Sequence, residues 1–387
     1  MAEVQIEVDP DIYDLGHTEY IMNNISSETT SIASSICRGV YENGRRYQSL
    51  KEGQYWYALM MFESKIHPYI SIGVHAMSNN SKACRRATFS VHSWTPTRQT
   101  HFSKLQYEIQ KYDSTISIES HKALTKRKDI LDIGTGRGNW AVDVADMFPA
   151  ATVRGVDLFP PPLDWIPPNC IMEVDDILQE WTWRTPFDLI HLRQMIGAFT
   201  PEEWDQVYTH CHNNLKPGGW IEQIEVDPVI LCTDSSLPPN SSTIQYSAAV
   251  IQAATNYNHP MTTANTMRSA MARAGFIEIH EKTYKWPIGP WARDATLKEA
   301  GRLHHHQWRH GMEGWAMYHL TRWGVPSPWT KDEVHVLVAK VRAELNDPRL
   351  HMWQRARRVW GRRATDEEIE VNGGRAEIVV IKDEPSP

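Results

Sequence analysis

The sequence predicts an α/β fold built on a mostly parallel sheet covered on both faces. Short apolar segments alternate with amphipathic ones from Asp129 onward. A glycine-rich turn joins the first apolar segment to the first amphipathic one, and proline and glycine fall where helices should stop. In order, ILDIG reads as a buried strand entering the turn. Trp140, Ala141, Val144, Ala145 and Phe148 then share a helix face that Pro149 ends. ATVRGVDL, NCIMEVDD and FDLIHL read as the next three strands. Thr200-Pro201-Glu202-Glu203 is a capping box with proline at the first helical position, and Trp204, Val207, Tyr208, Cys211 and Leu215 form the stripe of the helix it opens. Lys216-Pro217-Gly218-Gly219 ends that helix and launches the strand WIEQIEV.

Beyond a Pro/Ser/Asn linker at Ser235–Ser242, the pattern predicts one helix from about Ile244 to Ala274 and then the strand FIEIHEKTYKW. Residues 291–350 break the rhythm and read as helical, with a second capping box at Thr330 and Glu333 and a stop at Asn346-Asp347-Pro348. RRVWGRR returns as a last strand before a solvated tail. Before Asp129 the reading is poorer. Residues 1–36 form a polar, Ser/Thr-rich arm, ENGRRYQSLKEGQYWY suggests an ordered loop, and residues 58–124 show no period.

Composition narrows the function classes. The chain has 387 residues, 41% hydrophobic and 22% charged, which is ordinary globular usage. A formal net charge of -7 offers no basic field for a nucleic-acid backbone, and the basic run Lys126-Arg127-Lys128 abuts the first core strand. The cysteines Cys37, Cys84, Cys170, Cys211 and Cys232 are odd in number with no CxxC spacing, so neither a disulfide framework nor structural zinc is expected. Met1–Asp11 is acidic without an apolar run, and no stretch approaches the ~20 apolar residues that span a bilayer. The expectation is a cytoplasmic protein without a membrane or direct nucleic-acid partner, with the nucleus open to it.

Four features in order carry the chemistry. Asp132-x-Gly134-x-Gly136-x-Gly138 follows a strand and opens a helix; its glycines admit a ligand close to the backbone, and free helix N–H groups attract a carboxylate or phosphate. Asp157 ends the next strand, where an acid accepts bonds from both ribose hydroxyls. Asp175-Asp176 ends the third strand, where Asp176 is the better choice for an adenine amino group and the Ile177 backbone for the ring edge; capping the following turn is the alternative for Asp176. LKPGGW closes the set. A dinucleotide fingerprint wants glycine at position 139, which is Asn139, so the pattern fits S-adenosylmethionine better than a nicotinamide cofactor. The expected cofactor shell is Asp132, Gly134, Thr135, Gly136, Gly138, Asp157, Leu158, Asp175, Asp176 and Ile177.

LDIGTGRGNWAVDVADMFP, VRGVDLFPP, WTWRTPFDLIHLR, LKPGGWIEQIE and KWPIGPWARDATLKEAG, with ENGRRYQSLKEGQYWY near the start, resemble the fungal LaeA-like methyltransferases, also labelled UMTA or TAM-domain proteins. The resemblance implies a class I methyltransferase fold, Rossmann-like, with a seven-stranded mostly parallel sheet, a helical cap insertion and an N-terminal lid. Mapped onto this chain it implies an arm at 1–36, a lid at 37–124, a cofactor-binding core at 125–290, a cap at 291–350 and a last core strand and tail at 351–387. After Trp56-Tyr57 the sequence departs from the family's usual continuation. Two roles are implied: a methyltransferase acting on an oxygen or nitrogen of a small molecule in fungal secondary metabolism, which is the reading preferred, or a nuclear regulator of secondary-metabolite genes working through a protein partner.

His191 ends the fourth strand beside the expected point of methyl transfer and is the catalytic candidate, as a base toward the acceptor; a histidine that only orients the loop fits the position too. Arg193 fits an acceptor carboxylate or an ion pair with Asp188. His304-His305-His306 with His310 lacks a third ligand, so no metal is expected. Trp291, Trp308, Trp315, Tyr318 and Trp323 fit an acceptor pocket or the cap's own core. Lys382 matches a short SUMO-acceptor pattern that arises often by chance.

Overall fold

The computed structural model describes residues 40–42, 45–47, 128–161, 166–232, 234–292 and 294–371. The expected arm, the remainder of the expected lid, Lys126, Arg127 and Lys382 lie outside the described residues. Near the start, β1 (Val40–Glu42) and β2 (Arg45–Tyr47) pair antiparallel, Val40 opposite Tyr47.

β3 (Asp129–Ile133) runs into the glycine turn, and α1 (Asn139–Met147) leaves it. Trp140, Ala141, Val144 and Ala145 recur on one face of α1, and that face packs on Ile130 and Val153 of the sheet. β4 (Thr152–Asp157) and β5 (Cys170–Val174) add in parallel on one side of β3, and β6 (Phe187–Arg193) adds in parallel on the other. α2 (Pro201–Asn214) starts at the expected capping box: Glu203 N donates to Thr200 Oγ1 at 3.2 Å and Thr200 N to Glu203 Oε2 at 2.9 Å. The chain continues through β7 (Leu215–Cys232), α3 (Ser242–Asn256), α4 (Thr263–Arg273), β8 (Ile277–Pro287), α5 (Ala295–Trp323), α6 (Lys331–Leu345), β9 (Met352–Arg362) and α7 (Asp366–Val371).

The seven strands order as β5-β4-β3-β6-β7-β9-β8, and β9 alone among them runs antiparallel to its neighbours. This is the expected mostly parallel sheet. Strand order reverses between β3 and β6, and the crevice outside the carboxyl ends of strands at such a reversal is where open α/β sheets bind ligands. No helix among the described residues is long and apolar enough to cross a membrane.

Three expectations need correction. The single helix from Ile244 to Ala274 is two, α3 and α4, parted at Tyr257–Thr262. Pro260 has no N–H to continue the ladder and disfavours helical geometry at His259, and Asn258 has already turned left-handed at φ 60°. Lys216-Pro217-Gly218-Gly219 is not a loop before a strand but an irregularity inside β7, where the register with β6 shifts and Gly218 sits at φ 74°. The cap also draws in a helix expected in the core. Tyr246 and Val250 of α3 share a hydrophobic cluster with Trp308 and Met312 of α5 and Leu337 and Val338 of α6.

The segment after β6 positions the site, and a buried carboxylate fixes it. Gln194 takes φ 52°, and its N–H donates to Ile224 O at 2.9 Å. Met195 N donates to Glu225 Oε1 at 3.0 Å, Gln223 Nε2 donates to the same oxygen at 2.9 Å, and the Tyr208 hydroxyl donates to Gln223 Oε1 at 2.5 Å. This chain ties α2, β7 and the segment together. Burial pushes the Glu225 carboxyl up to about 7, against the pull of the Gln223, Met195 and Ile196 donors.

Because the folded chain holds this proton more tightly than the unfolded one, Glu225 contributes stability at low pH that is lost as pH rises toward 7. Between pH 6 and pH 7 the wild type should lose about 1 kcal/mol relative to Glu225→Gln. Denaturant titrations of both proteins across that interval check it; parallel stability curves would show that the carboxyl ionises normally.

Candidate functional site

The glycine turn is shaped by what lies under it. Gly134, Gly136 and Gly138 all have positive φ (67°, 57° and 76°), a region that side-chain-bearing residues rarely adopt. Gly134 N and Thr135 N donate to Val156 O at 2.9 and 3.0 Å, stitching the turn to the end of β4. A Cβ at Gly134 would meet the movable end of the Met195 side chain, so the left-handed φ is what calls for glycine there. Asp132 is buried and faces away from the turn's open side: Oδ2 accepts from the Thr135 hydroxyl at 2.7 Å, and Oδ1 shares a hydrogen bond with His191 Nδ1 at 2.8 Å.

Asp157 closes the other wall. Its Oδ2 accepts from Gly136 N at 2.8 Å and its Oδ1 from Phe159 N at 3.3 Å, so its orientation is set by the backbone it borders. Burial pushes its carboxyl up to about 6; N–H donors from Gly136, Phe159 and Leu158 oppose that shift, and the nearby Asp132 charge adds to it. At the end of β5, Asp176 Oδ1 accepts from Leu178 N at 3.1 Å and its Oδ2 from Gln179 Nε2 at 3.1 Å, while Asp175 is exposed and its Oδ1 accepts from Asp176 N. Asp176 therefore caps the next turn, and the same residue lines the cleft.

These residues surround an open cleft. Gly134, Asp157, Leu158, Asp175, Asp176 and Ile177 are brought together on its walls as the sequence suggests. Gly138 stands at the N-cap of α1 without a side-chain cap, leaving that helix's first N–H groups uncapped by side chains toward the turn. Thr135 points inward to Asp132. The cleft also takes Met195, Phe199, Glu203 and His259, which sequence reasoning did not single out. Glu203 was legible only as part of a capping box, and nothing in the sequence signals that the break before α4 brings His259 to this wall.

His191 is placed differently from the expectation. Its side chain is 1% exposed, and its ring stacks on Trp140 at 3.8 Å with planes 4° apart. It is absent from the wall of the cleft. Strand alternation is the cause: Asp132 pairs with His191 across β3 and β6, and both side chains point to the α1 face of the sheet. The ring lies beneath the turn, the orienting position that the sequence also allows. Asp188 does not need Arg193 either, since Lys128 and Lys216 bond it at 2.9 and 2.6 Å and hold its carboxyl below the usual range.

Of the cap histidines, His304 is buried with Nδ1 at 3.0 Å from Pro287 O and its ring stacked on Trp286, and His310 Nδ1 lies 2.8 Å from His306 O. Trp308 and Tyr318 are core residues of the cap. Trp308 and Trp315 also border a second cavity.

The donor set fits S-adenosylmethionine. The turn has no side chain at the three glycines, an acid stands at the end of β4, and the first turn of α1 contains no acidic residue to repel a carboxylate. Comparison with known proteins agrees with this geometry. The family described as "Methyltransferase domain" matches residues 103–281. Methyltransferase pytC of Aspergillus terreus is 30% identical over 341 residues, covering 88% of this chain and 90% of that protein. Secondary metabolism regulator LAE1 of Cochliobolus heterostrophus is 34% identical over 230 residues, covering 58% of this chain and 73% of the regulator. Probable methyltransferase tdiE of Emericella nidulans is 26% identical over 226 residues, covering 58% and 69%. The chain thus belongs to the S-adenosylmethionine-dependent methyltransferases of the LaeA-like family, alongside fungal secondary-metabolism methyltransferases and regulators.

Proposed function

We propose that the chain methylates an oxygen or nitrogen of a small molecule, with the cofactor seated over the carboxyl ends of β3, β4 and β5. The observation that carries this reading is the Asp157 carboxylate, buried in the cleft wall and aimed by Gly136 N. Asp157 receives the ribose hydroxyls. Gly134, Thr135, Gly136 and Gly138 give the amino-acid portion a floor of backbone, with the N-terminus of α1 toward its carboxylate. Asp176 and the Ile177 backbone, flanked by Asp175 and Leu158, border the adenine. Asp132 and His191 are positioning residues beneath the turn.

The bound cofactor supplies a methyl group on a sulfonium, so the leaving group is already activated. In that chemistry the acceptor atom would take the methyl carbon as the carbon–sulfur bond broke with its electron pair kept by sulfur, and the acceptor's proton would leave to solvent. The protein's part is to hold the acceptor at near-attack distance and keep water out. For that reason an activated nucleophile is not needed. The regulatory reading, favoured by the LAE1 likeness, keeps the same cleft and exchanges turnover for a nuclear protein partner. The net charge of -7 supports a chain without direct nucleic-acid contact. In domain terms the core is 125–290 with 351–387, the cap is 291–350 joined by α3, and the lid is 37–124.

Asp157→Ala should weaken S-adenosylmethionine binding by at least ~10²-fold, since two charge-assisted bonds to ribose are each worth ~1.5–3 kcal/mol. Calorimetric titration measures the affinity, and melts without ligand register any separate loss from unpairing Gly136 N. Unchanged affinity in the folded variant removes Asp157 from the site. Because the ionised carboxylate is the acceptor, wild-type affinity should also fall as pH drops through about 6, by up to about tenfold per unit below it. That dependence should vanish in Asp157→Ala.

For His191 the expected signature is structural support. His191→Ala should lower cofactor affinity and kcat together and reduce Tm, whereas His191→Asn, which keeps a donor toward Asp132, should recover much of both. A fall in kcat alone, with cofactor affinity intact, would return the ring to the acceptor side.

A further inference from the structure

Two polar groups on the cofactor cleft have no part in holding the ribose or the amino-acid portion. Glu203, in the first turn of α2, and His259, between α3 and α4, both line it. Met195 lines it as well, while Gln194 and Ile196 on either side of that residue face a separate space beneath the cap, so the cleft is walled off there.

Each group is fixed by its own element in a way that leaves one acceptor over. Glu203 Oε2 is turned to Thr200 N at 2.9 Å, and among the described residues no hydrogen bond is made to Oε1. His259 N donates to Ala254 O at 3.0 Å, Nδ1 lies 3.1 Å from Tyr257 O, and the ring stacks on Tyr257 at 4.1 Å with planes 11° apart. Tyr257 stacks in turn on Trp323, at the end of α5, at 4.0 Å. A carbonyl oxygen only accepts, so Nδ1 holds the proton of the neutral ring and Nε2 the lone pair. Glu203 stands near this column. Burial pushes the Tyr257 phenol up, a bond with Tyr318 opposes the shift, and the Glu203 charge adds to it.

The rim of the cleft is therefore one-sided in its hydrogen bonding. The carboxylates of Asp157, Asp175, Asp176 and Glu203 accept, and the one proton of His259 is spent on Tyr257 O. Thr200 has a proton to give, although its oxygen already accepts from Glu203 N at 3.2 Å. Among the described residues no lysine, arginine, asparagine or glutamine lines the cleft. Leu158, Ile177, Ala198 and Phe199 supply apolar walls for a flat ring. An amino group on that ring finds acceptors at the rim. A carbonyl in its place would meet lone pairs and lose its water. Asp176 has the least to offer, since its two oxygens already accept from Leu178 N and Gln179 Nε2, each at 3.1 Å.

Resting on the methyltransferase reading above, we infer that Glu203 Oε1 and His259 Nε2 take the two protons of the cofactor's exocyclic amino group. This pair makes the cleft select adenine over a purine carrying a carbonyl at that position. Asp176 borders the ring and holds its own turn, without reading the amino group.

The test compares S-adenosylhomocysteine with S-inosylhomocysteine, which differ at that group, by calorimetric titration of the full chain at pH 8, where Asp157 is ionised. The wild type should bind the adenosyl ligand at least about tenfold more tightly. Glu203→Gln keeps the size and the capping box, because glutamine also serves at that position, but its amide can donate to a carbonyl. It should weaken the adenosyl ligand, strengthen the inosyl ligand and close most of the gap. His259→Phe keeps a ring to stack on Tyr257 and removes the lone pair, and should narrow the gap at least about threefold. Asp157→Ala should weaken both ligands alike and leave their ratio as it was. A ratio that neither Glu203→Gln nor His259→Phe moves, in a wild type that binds the adenosyl ligand, overturns this assignment alone. A gap closed by Asp176→Asn instead also overturns it and returns the amino group to the end of β5. A folded wild type that binds neither ligand overturns the methyltransferase reading and this assignment together.

Discussion

The carboxylate of Asp132 is divided between two partners, the Thr135 hydroxyl on one oxygen and the His191 imidazole on the other. Neither bond reaches the cleft, yet the cleft depends on both. The first folds the chain back over the end of β3 so that three glycines can follow in left-handed conformations; the second ties that turn to β6, the strand on the far side of the order reversal. Trp140 then closes over the imidazole from α1. A buried carboxylate is costly unless its acceptor sites are matched by donors, and here the two matching groups come from the glycine turn and from β6. The turn is held in shape before any ligand arrives, which lowers the ordering that binding must include.

Much of the core was legible because local chemistry and long-range packing agree there. Apolar runs of strand length, a capping box and three spaced glycines give the same answer at every level for residues 129–215. The place of Asp157 on the cleft wall was legible from its position at the end of the strand after the glycine turn. The failures share a cause: side chains whose meaning depends on a distant partner. His191 was read by its place along β6, whereas its role follows from which face of the sheet it occupies. In β7, Glu222, Gln223 and Glu225 look like the solvated positions of a strand, but all three are buried because β9 arrives on one edge and α2 covers a face. No window of the sequence around WIEQIEV records either neighbour. The same holds for α3, whose apolar face was legible and whose partner in the cap was not.

The two spaces on either side of Gln194–Ile196 ask opposite things of their surroundings. The cofactor cleft is edged with the acids Asp157, Asp175 and Asp176, suited to hydroxyls and an amino group. The cap cavity is lined by rings and aliphatic chains whose polar atoms are occupied. A partition one residue thick keeps them apart, and Glu225 anchors it from β7 through Met195 N.

β9 sits between β7 and β8 although it follows both in the chain, with all of α5 and α6 intervening. Its place is pinned by a buried ion pair, Arg358 Nη2 to Glu222 Oε2 at 2.6 Å, of the kind whose disruption from one side costs roughly 3–5 kcal/mol. During synthesis, then, β7 and β8 emerge and must wait for a strand that leaves the ribosome about 65 residues after β8 does, at rates of ~5–20 residues per second. For those seconds an 18-residue edge carrying Glu222, Gln223 and Glu225 stands unpaired. Acidic groups on an open edge discourage pairing with another nascent chain. The charges that later hold the sheet together would first have kept it from joining the wrong one.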